Sequence, residues 1–220
     1  MTTIGFIGAG HIGGKVAEAA ADAGFDVVVS GARGPGALAP LDAQLGPKAR
    51  AATVEEAAAV GEIVVVAVPV AAFPDIPVES LAGKVVINTT NYNPSREGHI
   101  AEIDDGSSTV SELLQRRLPA RHVVKAFNMI SAAQVPTDGT PKGTPNRRAL
   151  ALAGDDAGAR KAVADIYDRF GFDAVDAGPL SQSWRFGRGQ PAFIIRQNAA
   201  ELRANLERAH RSHDSLTRHS

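Results

Sequence analysis

Short apolar runs rich in valine and isoleucine alternate along this chain with alanine-rich stretches of helical pattern. The runs are Ile4 to Ile7, Val27 to Val29, Ile63 to Val68, Val85 to Ile87, Val123 to Phe127, Leu150 to Ala153 and Phe172 to Val175. Near-continuous runs of this kind suit strands buried on both faces, with the helical stretches as the cover. The pattern therefore predicts an α/β fold: a Rossmann-type, doubly wound, mostly parallel sheet of six or seven strands with a small C-terminal helical addition. Thr53 and Glu56 form a capping box at one helix start, and Ser111 is expected to open another. Gly24, Gly61 and Gly171 stand where a left-handed residue would close a helix. Gly31 to Pro40 and Gln134 to Asn146 lack any hydrophobic period and read as loops. From about Pro191 the pattern turns helical, with Phe193, Ile194, Asn198, Leu202, Leu206 and Ala209 recurring mainly at steps of four. The expected division is residues 1–180 as the principal domain, 181–210 as a C-terminal helical segment and 211–220 as a polar tail.

Composition narrows the chemistry. The chain has 220 residues, enough for a substantial core. With no cysteine, thiol catalysis and cysteine-ligated metal sites are excluded. A formal charge of −1 gives no long-range attraction to nucleic acid or to an anionic membrane. The longest apolar stretch, Ile63 to Ala72, is too short to span a bilayer, and a cytoplasmic location is expected. The histidines show no metal-binding spacing, so no metal site is expected. Asp104-Asp105 and Asp155-Asp156 read as turn and helix-cap residues.

The first run leads directly into Gly8-Ala9-Gly10-His11-Ile12-Gly13 and then a helix start. This is the dinucleotide-binding GxGxxG pattern in its proper strand–turn–helix setting. Gly8 permits the tight turn, Gly10 lets a pyrophosphate approach the main chain, and Gly13 lets helix and strand pack closely. The helix N-terminus offers free N–H groups and partial positive charge. At the end of the second run, where an acid would bond a ribose 2′-hydroxyl, the chain has Ser30-Gly31-Ala32-Arg33. The missing acid, together with Ser30 and Arg33 as donors to a 2′-phosphate, favours NADP(H) over NAD(H).

Ligands of doubly wound sheets lie beyond the C-terminal strand ends. Candidate residues there are Val68 and Pro69, the polar stretch Asn88 to Pro94 including Asn91, and Lys125-Ala126-Phe127-Asn128-Met129-Ile130. Ordinary turn chemistry is the competing explanation for the asparagines and threonines. No GxSxG elbow, YxxxK arrangement or paired catalytic carboxylates are found. Lys125 is the one candidate for proton transfer, set against the commoner role of a lysine that reaches solvent.

The opening Ile4 to Gly13, the Ser30 to Pro35 turn, Val68-Pro69, Lys125-Ala126-Phe127-Asn128 and Asp176-Ala177-Gly178-Pro179-Leu180 together resemble the NADPH-dependent coenzyme F420 reductase family over residues 3–193. The resemblance implies hydride transfer between NADPH and a deazaflavin in a homodimer, with no protein acid or base required. It further implies Ser30 and Arg33 at the 2′-phosphate, and Asn91, Asn128, Met129, Pro179 and Leu180 near the second ring. Two alternatives stay open. One replaces the deazaflavin by a flavin or a small imine or ketone, with Lys125 and Tyr92 as proton-donor candidates. The other is a non-enzymatic NADP(H)-binding redox sensor whose second site is filled by Trp184 or Phe186; Trp184-Arg185-Phe186 also suits a lid, a packing anchor or a dimer contact.

Overall fold

The computed structural model describes residues 2–119 and 122–211. Most of the expected polar tail, with His213 and His219, lies outside the described residues. Eight strands form one sheet: β1 (Thr3–Ile7), β2 (Asp26–Ser30), β3 (Ala49–Ala51), β4 (Ile63–Val66), β5 (Val85–Asn88), β6 (Val123–Lys125), β7 (Ala149–Gly154) and β8 (Asp173–Asp176). The helices are α1 (His11–Asp22), α2 (Ala39–Leu45), α3 (Val54–Val60), α4 (Pro94–Glu97), α5 (Ala101–Asp104), α6 (Val110–Gln115), α7 (Ala157–Arg169) and α8 (Ala199–Glu207).

The strand order is β3-β2-β1-β4-β5-β6-β7-β8. The chain starts in the middle of the sheet, builds one edge and then crosses to the other, so the switch point lies between β1 and β4. Alternate residues of each strand feed opposite faces. Phe6, Val65, Ile87 and Val124 join the larger core with α1, α7 and α8. Ile7, Val64, Val66, Val86 and Val123 join a second core with Leu114 and Leu180. No helix among the described residues is long and apolar enough to cross a membrane.

One pairing breaks the parallel pattern. β7 runs antiparallel to β6 over two residue pairs, Val124 with Gly154 and Lys125 with Ala153. β8 then pairs parallel to β7. The end of β8 consequently points to the edge of the sheet opposite the C-terminal ends of β1 to β6.

Several local expectations are met with their geometry. Thr53 and Glu56 close a capping box on α3. Asp156 caps α7 by accepting from Ala159 N at 2.7 Å. Gly24 and Gly171 follow helix ends at φ +87° and +90°. Others are corrected. Gly61 is extended, at φ −62° and ψ 125°. Its role is close packing, since a Cβ there would lie 2.7 Å from Gly5 N. The cap of α6 is Thr109, which accepts from Glu112 N at 3.2 Å, while Ser111 lies buried inside the helix. The stretch read as a loop from Gly31 holds a 3-10 turn, Pro35–Leu38, and the start of α2. The final helix begins at Ala199 rather than near Pro191, because Asn198 caps it and Ile194 sits at φ +55°. β3 was not anticipated: its three residues, Ala-Arg-Ala, form a short edge strand with no β-branched run to mark it.

Candidate functional site: a nucleotide cradle and a cleft at the sheet's switch point

The turn after β1 places three glycines under different demands. Gly8 has φ +99°, and a Cβ there would meet Ala67 O at 2.6 Å. At Gly13 a Cβ would lie 2.0 Å from Gly8 O. These two are required by packing. At Gly10, by contrast, a Cβ would meet nothing within 4 Å. Its bareness is therefore unexplained by the protein and fits a ligand approaching the main chain. Gly10 is the N-cap of α1, whose first turn holds no acidic residue to oppose an anion.

Ala9, Gly10 and His11 line a groove of about 420 Å³ with Arg33 and Leu38. Arg33 is exposed and makes no ion pair among the described residues. Ser30 corrects the sequence expectation. Its side chain is fully buried and donates to Phe6 O at 2.7 Å, so it faces the neighbouring strand and not the groove. Of Ser30 and Arg33, only Arg33 lines the groove.

The groove continues past His11 into a cleft of about 540 Å³ at the switch point. Ile12, Val68, Pro69, Asn91, Asn128 and Ile194 line it. The polar turn after β5 is stitched to β4. Thr89 N donates to Val66 O at 3.0 Å, Thr90 Oγ1 donates to Val68 O at 2.7 Å, and Asn88 Oδ1 accepts from Thr90 N at 2.7 Å. These three residues thus serve the loop, as ordinary turn chemistry anticipates. Asn91 reaches across the cleft: its Nδ2 donates to Asn128 O at 2.8 Å, and its Oδ1 accepts from Asn128 Nδ2 at 3.2 Å. Asn128 Oδ1 is buried without a partner. It is an acceptor left over for a ligand amide or hydroxyl.

Three second-ring candidates are not brought to the cleft. Met129 is fully buried, and its Sδ accepts from Ala151 N at 3.2 Å. Leu180 is fully buried in the second core, and its N donates to Asp155 Oδ1 at 2.9 Å. Pro179 precedes it beside Gly178, whose O accepts from Gly154 N. For Pro179 and Leu180 the antiparallel β7 is the cause, because it carries the end of β8 to the far edge of the sheet, whereas Met129 is turned inward against Ala151.

Lys125 and Tyr92 also stand apart. Both line a separate cavity rather than the cleft. Lys125 is 4% exposed and donates to Thr90 O. Burial pulls its amine down to about 7. The Tyr92 hydroxyl is engaged by Gly98 O at 2.8 Å, Asp104 Oδ1 at 3.0 Å and Ile100 N at 3.0 Å. Burial raises its pKa, and the Asp104 carboxylate adds to the effect.

The Trp184-Arg185-Phe186 segment is an anchor. Phe186 is fully buried and its O accepts from Asn128 Nδ2 at 3.0 Å. Arg185 donates twice to Leu206 O at the end of α8. Sequence reasoning missed Arg96, Glu97 and Phe193 as cleft residues. Glu97 is structural there, accepting from Val70 N at 2.7 Å and Asn93 N at 3.1 Å. Nothing local in the sequence marks these residues, since the bend at Ile194 that brings Phe193 to the cleft is a tertiary effect. No group of acids and histidines that could hold a metal occurs among the described residues.

Comparison with known proteins places this geometry in context. The family model described as NADP oxidoreductase, coenzyme F420-dependent, matches residues 3–92. A hypothetical protein from Sinorhizobium meliloti is 29% identical, with a TM-score of 0.76 over 90% of this chain and 96% of that one. A protein from Arthrobacter sp. FB24, bearing the provisional name F420-dependent NADP-reductase, is 28% identical, with a TM-score of 0.67 over 83% and 87% of the two chains. An imine reductase from Myxococcus stipitatus, 20% identical with a TM-score of 0.55, shares the fold; 80% of this chain covers 54% of that one. No curated protein matches.

Proposed function

We propose that this chain, whose residues 3–92 match the model of the coenzyme F420-dependent NADP oxidoreductases, is an NADP-dependent oxidoreductase that moves hydride between NADPH and a deazaflavin of the coenzyme F420 type. The observation that carries the second half of this reading is the position of Lys125 and Tyr92. Reduction of an imine or ketone calls for a proton donor beside the acceptor. The two side chains suited to that task line a different cavity, and Tyr92 is already engaged. Hydride exchange between two redox cofactors needs no such donor.

NADPH, when bound, supplies the hydride. The main chain from Gly8 to Ile12 holds its phosphates at the N-terminus of α1, and Arg33 holds the 2′-phosphate. Val68 and Pro69 give a flat apolar floor, while Asn91 is fixed by Asn128 to address a carboxamide. The leftover Asn128 acceptor orients the second ring, and Phe193 and Ile194 exclude water. The resemblance also implies a homodimer. Ile194 and Ile195, each 49% exposed, supply apolar surface for a second subunit to cover.

The test is the initial rate of reduction of oxidised coenzyme F420, followed by its visible absorbance, with NADPH and separately with NADH. Turnover with NADPH and little with NADH is expected. Tight NADPH binding without reduction by either donor would overturn the deazaflavin assignment.

A further inference from the structure

The cavity that holds Lys125 is not used by the nucleotide reading. It measures about 400 Å³ and shares only Thr90 and Asn91 with the cleft. Two donors in its lining are buried and undersupplied. Ser111 is fully buried, and its hydroxyl has no hydrogen-bond partner. Lys125 carries three N–H donors when protonated, against one protein acceptor, Thr90 O. Neither shortage is typical of a protein interior, where buried polar groups are paired.

The surplus is one of donors. Asp104 and Asp105 also line the cavity, but Asp104 already takes the Tyr92 hydroxyl and the His99 ring, and Asp105 takes Ser107 N. Arg188 and Arg211 line the cavity as well, and the Arg211 guanidinium lies 5.1 Å from the centroid of the Trp184 ring. The apolar and aromatic part of the lining is Trp184, Tyr92, Ile103 and Val110, beside polar residues such as Ser108, Thr109 and Gln190. Two buried donors equal in number the two oxygens of a carboxylate, and the aromatic side chains suit a planar body.

We propose that this cavity binds a planar, carboxylate-bearing small molecule, its carboxylate held by Lys125 Nζ and Ser111 Oγ and its ring lying against Trp184. Such a ligand supplies the acceptors that both groups lack. An anion beside Lys125 also favours the ammonium form that burial otherwise disfavours. The site stands on its own cavity and does not depend on what occupies the nucleotide cleft.

Trp184 is the sole tryptophan of the chain, so its fluorescence reports on this cavity directly. Sodium benzoate is the probe and benzamide, of the same shape without the charge, is its control; both are titrated into the protein without nucleotide. The expected result is a saturable change with benzoate and binding about tenfold or more weaker with benzamide, the worth of a charge-assisted hydrogen bond. Ser111→Ala and Lys125→Met are each expected to weaken benzoate about tenfold with an unchanged far-UV circular dichroism spectrum. Equal binding of the two probes overturns the proposal, as does benzoate binding that survives both substitutions or the absence of any saturable response. Should Lys125→Met fail to fold, the two-probe comparison on the unaltered protein decides. NADPH binding, read separately from nicotinamide fluorescence, shows whether the nucleotide cleft stands or falls independently.

Discussion

The Tyr167 hydroxyl accepts a hydrogen bond from Phe127 N at 2.9 Å, and the two rings meet edge to face with centroids 4.7 Å apart. Phe127 sits at φ +57°, a conformation costing an L-residue roughly 1–2 kcal/mol. It is also the residue that turns the chain from β6 into the cleft at Asn128. The same hydroxyl donates to Ala151 O at 3.0 Å. Tyr167→Phe removes one partner from each of two buried main-chain groups. Urea denaturation is expected to show a loss of ~1–3 kcal/mol. An unchanged midpoint would mean that Phe127 holds its conformation without this bond.

Gly10 and Gly13 separate ligand space from packing space. Gly10→Ala adds a methyl group where the protein itself has room, so stability is expected to fall by no more than the ~1 kcal/mol that alanine costs at an N-cap, while NADPH affinity falls about tenfold or more. Gly13→Ala forces its methyl group against Gly8 O and is expected to cost ~1–3 kcal/mol of stability. Thermal melts and NADPH titrations on both variants distinguish the two roles; equal destabilisation would refute the division.

Of the two expected 2′-phosphate donors, only Arg33 lines the groove, Ser30 being committed to Phe6 O. Arg33→Ala is expected to raise the Kd for NADPH about ten- to a hundredfold, the worth of a charge-assisted hydrogen bond, and to leave NADH within about twofold. Comparable losses for both nucleotides would remove Arg33 from the 2′-phosphate.

Lys125 makes stability depend on pH in a defined direction. Burial lowers its folded-state pKa to about 7 from the ordinary 10.5. Between those values the unfolded chain binds more protons than the folded one, so rising pH stabilises the fold. The cost of burying the amine is full below about 7 and relieved toward 10.5. Lys125→Met lacks this cost, so its stability advantage is expected to shrink by up to ~1.4 kcal/mol per pH unit across that window. A pH-independent difference between the two proteins would show that the amine is not desolvated.

The glycine turn between β1 and α1 was legible in the sequence because its signals are local. The glycine spacing, the strand before it, the helix after it and the missing acid near Arg33 all lie within a few residues of what they position. Ser30 was misjudged because the direction of a strand-end side chain depends on its neighbour, and here that neighbour is Phe6 O. Met129 and Leu180 were drawn toward the cleft by their place in the chain, whereas Met129 turns inward against Ala151 and the reversal at β7 decides where Leu180 lies. Strand orientation is a relation between distant segments, and hydrophobic runs carry no sign of direction. The second cavity was hidden for a related reason: Ser111, Lys125 and Trp184 meet only when α6, β6 and the C-terminal segment are assembled.

The two-pair contact between β6 and β7 has a consequence for folding fidelity. So short a ladder defines alignment weakly, and a slip of one residue would exchange the two faces of the moving strand. Alignment is instead pinned from outside the ladder by a sulfur and a phenol: Met129 Sδ holds Ala151 N, and Tyr167 holds Ala151 O and Phe127 N. Ala151 is thereby gripped on both of its main-chain groups. Damage at Met129 or Tyr167 would be felt first during assembly, as misaligned chains exposing the apolar face of β7, before any molecule reached the state in which its affinity for a nucleotide could be measured.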